Sequence, residues 1–200
     1  MLKLETKNYI INQETMSLFP AVDEWNQSKT IVIEEKGIMM VDQKPLDIIK
    51  ESCSYFASSY EGRRKGTYAR INVTRMAPIL INDGQVIIFF PLMSPENIKC
   101  SWLSHQHIKK WWKVKNGTKV LFTNLQTLTL PIPFMRFEMQ VYRSAQLRHV
   151  ILESTRKSKP SSNQYIIHET SPSDKTQLLE KQIRIKDNGL FALQENGDEQ

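Results

Sequence analysis

Three cations stand side by side between two glycines, Gly62-Arg63-Arg64-Lys65-Gly66, with Tyr60 and Tyr68 on either side. Arginine offers a planar fork of donors matched to phosphate oxygens, and lysine a compact point charge. Glycine permits positive φ and close backbone approach, so this segment is expected to be an exposed, bent loop that a polyanion can reach. Arg136, Gln140 and Arg143 form a second set. At i, i+4 and i+7 they share one helix face, and their side chains suit phosphates and base edges. The same stripe describes the solvent face of an ordinary amphipathic helix equally well. Cys100, His105 and His107 carry metal-ligating atoms, and on a strand the two histidines would project to one side. A fourth ligand and a Cys-x-x-Cys partner are missing, so structural roles are expected and no metal is assigned.

The charge distribution supports a phosphate partner. The 200 residues carry 27 Lys/Arg and 21 Asp/Glu, a net of +6. Residues 1–57 hold 6 basic and 9 acidic side chains, net −3, and residues 156–200 hold 7 of each. Residues 58–155 hold 14 against 5, net +9. The excess is concentrated in the middle of the chain, and such a block predicts salt-dependent affinity for a nucleic-acid backbone.

Other classes find no support. The sequence has no phosphate-binding loop, nucleophile elbow or dinucleotide fingerprint, and no paired carboxylates stand apart from ordinary surface acids, so no catalytic residue is assigned. No signal segment or membrane-length apolar run is evident, which leaves the two Asn-x-Thr matches at Asn72 and Asn116 without meaning. With two cysteines only, an intracellular, reduced protein is expected.

The elements that must position these residues begin with short apolar or alternating runs at 9–12, 16–19, 30–34 and 37–41, read as strands. Pro45 suits a first helical turn, and Leu46, Ile49, Cys53 and Phe56 make a helical stripe over 45–57. Cys53 reads as a small hydrophobe of that stripe. Residues 68–74 and 79–81 read as strands, and Asp83-Gly84 as a hairpin turn before a strand at 86–90. A second hairpin pairs 110–115 with 118–123 around Asn116-Gly117. Alternation puts Trp111 and Trp112 on opposite faces of it. One belongs to the core; the other, among lysines, is either a base-stacking platform or a cross-strand packing residue. A helix from Phe134 to about residue 154 follows, with Phe134, Phe137, Val141 and Ala145 as its apolar line, widened by Met135, Met139 and Tyr142. Residues 156–163 read as a hydrophilic linker. Ser171-Pro172-Ser173-Asp174 resembles a capping box that opens a short helix to about residue 186, with Leu178, Leu179 and Ile183 as its apolar side.

Several motifs in order point to a family. Lys44-Pro45-Leu46, Ser52-Cys53, Ser58-Ser59-Tyr60-Glu61-Gly62-Arg63, Gly66-Thr67-Tyr68, Pro78-Ile79 and Phe90-Pro91 are followed by Cys100-Ser101-Trp102-Leu103-Ser104-His105-Gln106-His107 and Phe137-Glu138-Met139-Gln140-Val141-Tyr142-Arg143. Over about residues 8–155 the chain resembles the ComK competence transcription factors of Gram-positive bacteria. The resemblance implies a cytoplasmic, nucleoid-associated activator of DNA-uptake genes. Such an activator binds paired AT-rich boxes of double-stranded DNA as a homo-oligomer, largely through the minor groove, and needs no cofactor. RNA polymerase and a Clp-protease adaptor are candidate partners. Tyr165-Ile166-Ile167 occupies the place of the family's adaptor segment, but His168-Glu169 follow where the family has Tyr-Pro, which puts adaptor control in question. A regulatory paralogue or a protein-interaction module is the alternative reading.

The expected architecture is therefore α+β: one domain over 1–155, of mainly antiparallel strands with two packed helices, then a linker, short helix and tail over 156–200. Its candidate DNA contacts are Arg63, Arg64, Lys65, Arg136, Gln140 and Arg143.

Overall fold

Strand-forming runs of alternating residues build a large sheet from distant parts of the chain. The computed structural model describes residues 2–25, 27–158, 183–185 and 191–193. It divides into two units, Met1–Ser158 and Lys159–Gln200. In the first, strands β1 (Leu2–Thr6), β2 (Thr15–Val22), β3 (Ser28–Glu34) and β4 (Ile38–Val41) lead into helices α1 (Pro45–Tyr55) and α2 (Tyr60–Ile71). Then come β5 (Ile79–Asn82), β6 (Ile87–Pro91) and β7 (Trp102–Ser104). The seven strands form one sheet in the order β1-β4-β3-β2-β7-β6-β5. All pairs are antiparallel except β1 with β4. A second, antiparallel sheet joins β8 (Ile108–Val114), β9 (Gly117–Phe122) and β10 (Thr127–Leu130), and α3 (Phe134–Ser158) closes the unit. The α+β reading holds.

Strand alternation sends successive side chains of β6 and β7 into different cores. Phe89 and Trp102 join Ile48, Ile49 and Cys53 of α1 and Tyr60 of α2 in one cluster. Phe90 and Leu103 join Val120, Phe122 and Leu130 of the small sheet and Phe137 and Val141 of α3 in another. A third cluster, Ile71, Ile88, Leu147 and Ile151, ties α2 to α3 across β6. Helix α1 starts with Pro45 at its first turn, as expected. Residues 9–12, expected as a strand, are irregular instead. The Tyr9 hydroxyl there lies 2.6 Å from both Thr15 Oγ1 and Glu34 Oε1, so side chains rather than a ladder hold the segment.

The glycine-bracketed segment is helix α2, not a loop, and residues 68–71 are its last turn rather than a strand. Neither Gly62 nor Gly66 has positive φ. Ser59 caps the helix by accepting the Gly62 N–H at 3.0 Å, and Asn72 ends it in the left-handed region at φ 55°. Two glycines cost a helix about 1 kcal/mol each. Burial of Tyr60, Thr67 and Ile71 on one face, with Thr67 Oγ1 donating to Pro78 O at 2.8 Å, offsets that cost. A Cβ placed on Gly66 would meet nothing within 4 Å. Gly66→Ala is therefore expected to raise stability by about 0.5–1 kcal/mol in urea unfolding, where a positive-φ loop would lose stability.

Four further expectations are corrected. The buried line of α3 runs through Phe137, Gln140, Val141, Ser144, Leu147 and Ile151, which leaves Met135, Met139, Tyr142 and Ala145 exposed. His105 and His107 lie in a 3-10 turn rather than a strand. Helix α3 continues to Ser158, past the expected start of the linker. In the second unit Ile183–Ile185 is a strand, β11, paired antiparallel with β12 (Phe191–Leu193), so the expected short helix does not include Ile183. The rest of that helix, the linker beyond Ser158 and Tyr165, Ile166 and Ile167 lie outside the described residues.

Candidate nucleic-acid interface

Helical geometry separates the three consecutive cations of α2, because adjacent residues point about 100° apart. Arg63 turns toward the β5–β6 connection and pairs with Asp83, leaving its side chain 14% exposed. Arg64 and Lys65 face outward beside exposed Tyr68. The Arg64 guanidinium stands 6.0 Å from the Tyr60 ring centroid, which fixes its direction without neutralising it. Burial pushes the Tyr60 hydroxyl up to about 12, against the pull of Arg64, so the ring is an uncharged support at neutral pH.

The segment after α2 brings in a cation that the sequence reading passed over. Arg75 is exposed between Asn72 and Met76, both at positive φ. It shares a shallow cleft with Arg64, Tyr60 and Thr74, with Glu96 as the acid at the rim. Arg64, Lys65, Tyr68 and Thr74 line the adjoining cleft, with Glu61 as its acid. Helix α3 holds this segment from the other side. Arg143 Nη1 donates to Arg75 O at 3.5 Å, and Gln140 Nε2 donates to Met76 O at 3.0 Å and to Pro91 O at 2.6 Å.

The arginine-glutamine stripe of α3 is thus divided by burial. Gln140 is 2% exposed and its amide is committed to two main-chain carbonyls, so it braces the surface instead of facing a ligand. Arg143 is half-buried and Arg136 is exposed. Arg64, Lys65, Arg75, Arg136 and Arg143 form no ion pair among the described residues. The structure brings Arg64, Lys65 and Arg75 to two adjoining clefts whose acids are Glu61 and Glu96, and Arg143 reaches the same segment through the Arg75 carbonyl. Gln140→Leu keeps the volume but strands both carbonyls. It is expected to cost about 1–3 kcal/mol in denaturant unfolding and to speed amide exchange in residues 72–78.

The cysteine-histidine group is not a ligand cluster. Cys100 is buried and directs its thiol toward Met93 O and Ser101 O, each at 3.5 Å, and burial pushes it up to about 11. His107 is buried between Gln13 O, 2.8 Å from Nε2, and Thr123 Oγ1, 3.0 Å from Nδ1, where it joins the β2 approach to the small sheet. His105 is held below the usual imidazole range by burial and by Arg148. No group of metal-ligating side chains occurs among the described residues. Cys53 belongs to the α1 core, and burial pushes its thiol up to about 11.

The surface is arginine-rich and built on α2, the segment that follows it and α3. Residues 6–156 match the ComK protein family. This chain belongs to the ComK family. The competence transcription factor of Bacillus subtilis (strain 168) is 34% identical over 164 residues, covering 81% of this chain and 84% of that protein. No solved structure matches. Membership in the ComK family, with a relative named a competence transcription factor, supports a role in transcription regulation. No helix among the described residues is long and apolar enough to cross a membrane.

One further signal in this ComK chain was present in its sequence and went unread. No carboxylate occurs between Glu96 and Glu138, whereas Lys99, Lys109, Lys110, Lys113, Lys115, Lys119 and Arg136 fall inside that interval. Much of the +9 block is therefore the small sheet itself. Of its two tryptophans, Trp111 packs on Phe137 and Tyr142 of α3, with ring centroids 6.4 and 6.3 Å away, while Trp112 takes the other face.

Proposed function

We propose that this chain is a sequence-specific activator of competence genes that binds AT-rich promoter DNA, largely through the minor groove. It acts at the nucleoid in the cytoplasm, with RNA polymerase as its onward partner. The observation that carries the reading is the grouping of Arg64, Lys65 and Arg75, with Arg143 bound to the Arg75 carbonyl and none of the four in an ion pair among the described residues, in a chain of the ComK family. Arg64 and Arg75 are the groove-entering candidates, because arginine is favoured where AT tracts narrow the minor groove. Lys65, Arg136 and Arg143 hold flanking phosphates. Arg63 and Gln140 act one step back, through Asp83 and through the carbonyls of residues 76 and 91.

Self-association belongs to the same reading and is supported by the exposed stripe Met135, Met139 and Tyr142 on α3. A Met139→Glu chain that sediments like the wild type would remove that stripe from it. Tyr165, Ile166 and Ile167 remain candidate adaptor contacts, tested by whether Ile166→Asp slows degradation by the Clp protease.

Base substitution in the DNA tests the groove. An I·C pair displays the minor-groove pattern of A·T but the major-groove pattern of G·C. Binding retained on an I·C duplex and lost on G·C is the expected result. Loss on I·C overturns minor-groove reading.

A further inference from the structure

The small sheet has two faces, and α3 occupies only the one that carries Trp111, Val120, Phe122, Leu128 and Leu130. Alternation turns the intervening residues of each strand to the other side. Lys110 and Trp112 of β8 lie opposite Leu121 and Lys119 of β9, which in turn lie opposite Thr127 and Thr129 of β10. The six residues make one continuous two-by-three grid. Lys110, Thr127 and Thr129 are exposed, and Trp112, Lys119 and Leu121 half-buried. The absence of any carboxylate between Glu96 and Glu138 leaves the grid without an acidic neighbour on its own strands or turns. Lys110 and Lys119 make no ion pair among the described residues. A merely solvated sheet face normally mixes charges of both signs.

We propose that this outer face is a second contact surface for duplex DNA, an inference that rests on the DNA-binding reading above. Lys110 and Lys119 would neutralise phosphates, while Trp112, Leu121 and the two threonine hydroxyls lie against the sugar edges of a groove. A duplex fits better than a single strand. Lys119 Nζ stands 5.9 Å from the Trp112 ring centroid, over the face on which an unpaired base would stack. The face lies on the side of the sheet away from α3, so it adds a contact separate from Arg75 and Arg143. A protein that touches DNA on two surfaces can bend a site or span two.

Anisotropy titrations of an AT-rich duplex across a salt series test the proposal, with folding of each variant checked by circular dichroism. Lys110→Gln/Lys119→Gln is expected to lower the log–log salt slope by about two, near one unit per phosphate released. Thr127→Glu/Thr129→Glu, which alters only exposed side chains, is expected to weaken binding by about tenfold or more through like-charge repulsion. DNA-induced tryptophan quenching is expected to shrink in Trp112→Phe. Both pairs of changes leaving affinity and slope untouched, beside a weakened Arg64→Ala/Arg75→Ala chain, overturns the sheet surface alone. Loss confined to single-stranded DNA overturns the duplex assignment. A wild-type chain that binds no duplex overturns the parent reading as well.

Discussion

Replacing Arg64, Lys65, Arg75 and Arg143 together by alanine is expected to weaken binding to an AT-rich duplex by roughly a hundredfold or more at about 0.1 M salt, and to flatten the salt slope by about three to four units. The size of the effect follows from electrostatics. Each cation that neutralises a phosphate releases close to one counterion, so four lost contacts remove most of an affinity built on backbone neutralisation. None of the four is paired with a carboxylate among the described residues, so their removal strands no buried acid. Folding should survive, with a modest fall in the thermal midpoint from the lost Arg143 contacts to Arg75 O and Gln140 Oε1. Arg63 is the internal control. It is the most tightly held of the α2 cations, with Asp83 as its partner, so Arg63→Ala should cost stability while leaving the slope nearly intact. An Arg63→Ala chain that loses slope as strongly as Arg64→Ala would mean that α2 presents a different face to DNA.

Gly117→Ala is expected to destabilise the protein by about 3 kcal/mol or more, read as a fall in the urea midpoint with little change in the slope of the transition. Gly117 opens β9 at φ +139°, a conformation that L side chains rarely adopt. A Cβ there would stand 2.0 Å from Leu130 O, with Ile132 N at 3.1 Å. Both obstacles are main chain, so neither can rotate away. Thr118 packs beside them with its hydroxyl donating to Ile132 O at 2.9 Å, so the pairing of β9 with β10 and the entry to α3 depend on the same few atoms. Displacing β10 would also disturb the cluster around Phe137, and with it the helix that carries Arg143.

Both expectations rest on features that the sequence showed only in part. Periodicity and turn residues located the β2–β3–β4 strands, α1, both later hairpins and the start of α3, because each of those signals is local. Helix α2 was hidden by its own composition. Gly62 and Gly66 are as compatible with a loop as with a helix, and the choice is made by the Ser59 cap and by burial of Tyr60, Thr67 and Ile71. Arg75 had no local mark at all. It becomes part of the surface only because Gln140 and Arg143, more than sixty residues later, bind the carbonyls of its segment. Gln140 shows the converse. Its spacing with Arg136 and Arg143 is real, yet carbonyls of Met76 and Pro91 needed a buried donor, and that demand turned the residue inward. The exposed Met135, Met139 and Tyr142 complete the pattern. Hydrophobicity alone placed them in the core line, whereas the helix buries Gln140 and Ser144 instead.

The concentration of positive charge was legible at once, and its cause is now specific. Part lies on α2, the segment after it and α3, and part on a sheet whose strands and turns contain no acid. Both parts predict the same behaviour, which one measurement addresses most directly. The dissociation constant of the wild-type chain for an AT-rich duplex should be followed from about 50 to 200 mM salt, with a G·C duplex of equal length beside it. A log–log slope of about −4 or steeper, with tighter binding to the AT-rich duplex throughout, is the predicted result. A slope near zero, or no binding to either duplex at the lowest salt, would contradict the assignment of this surface to DNA.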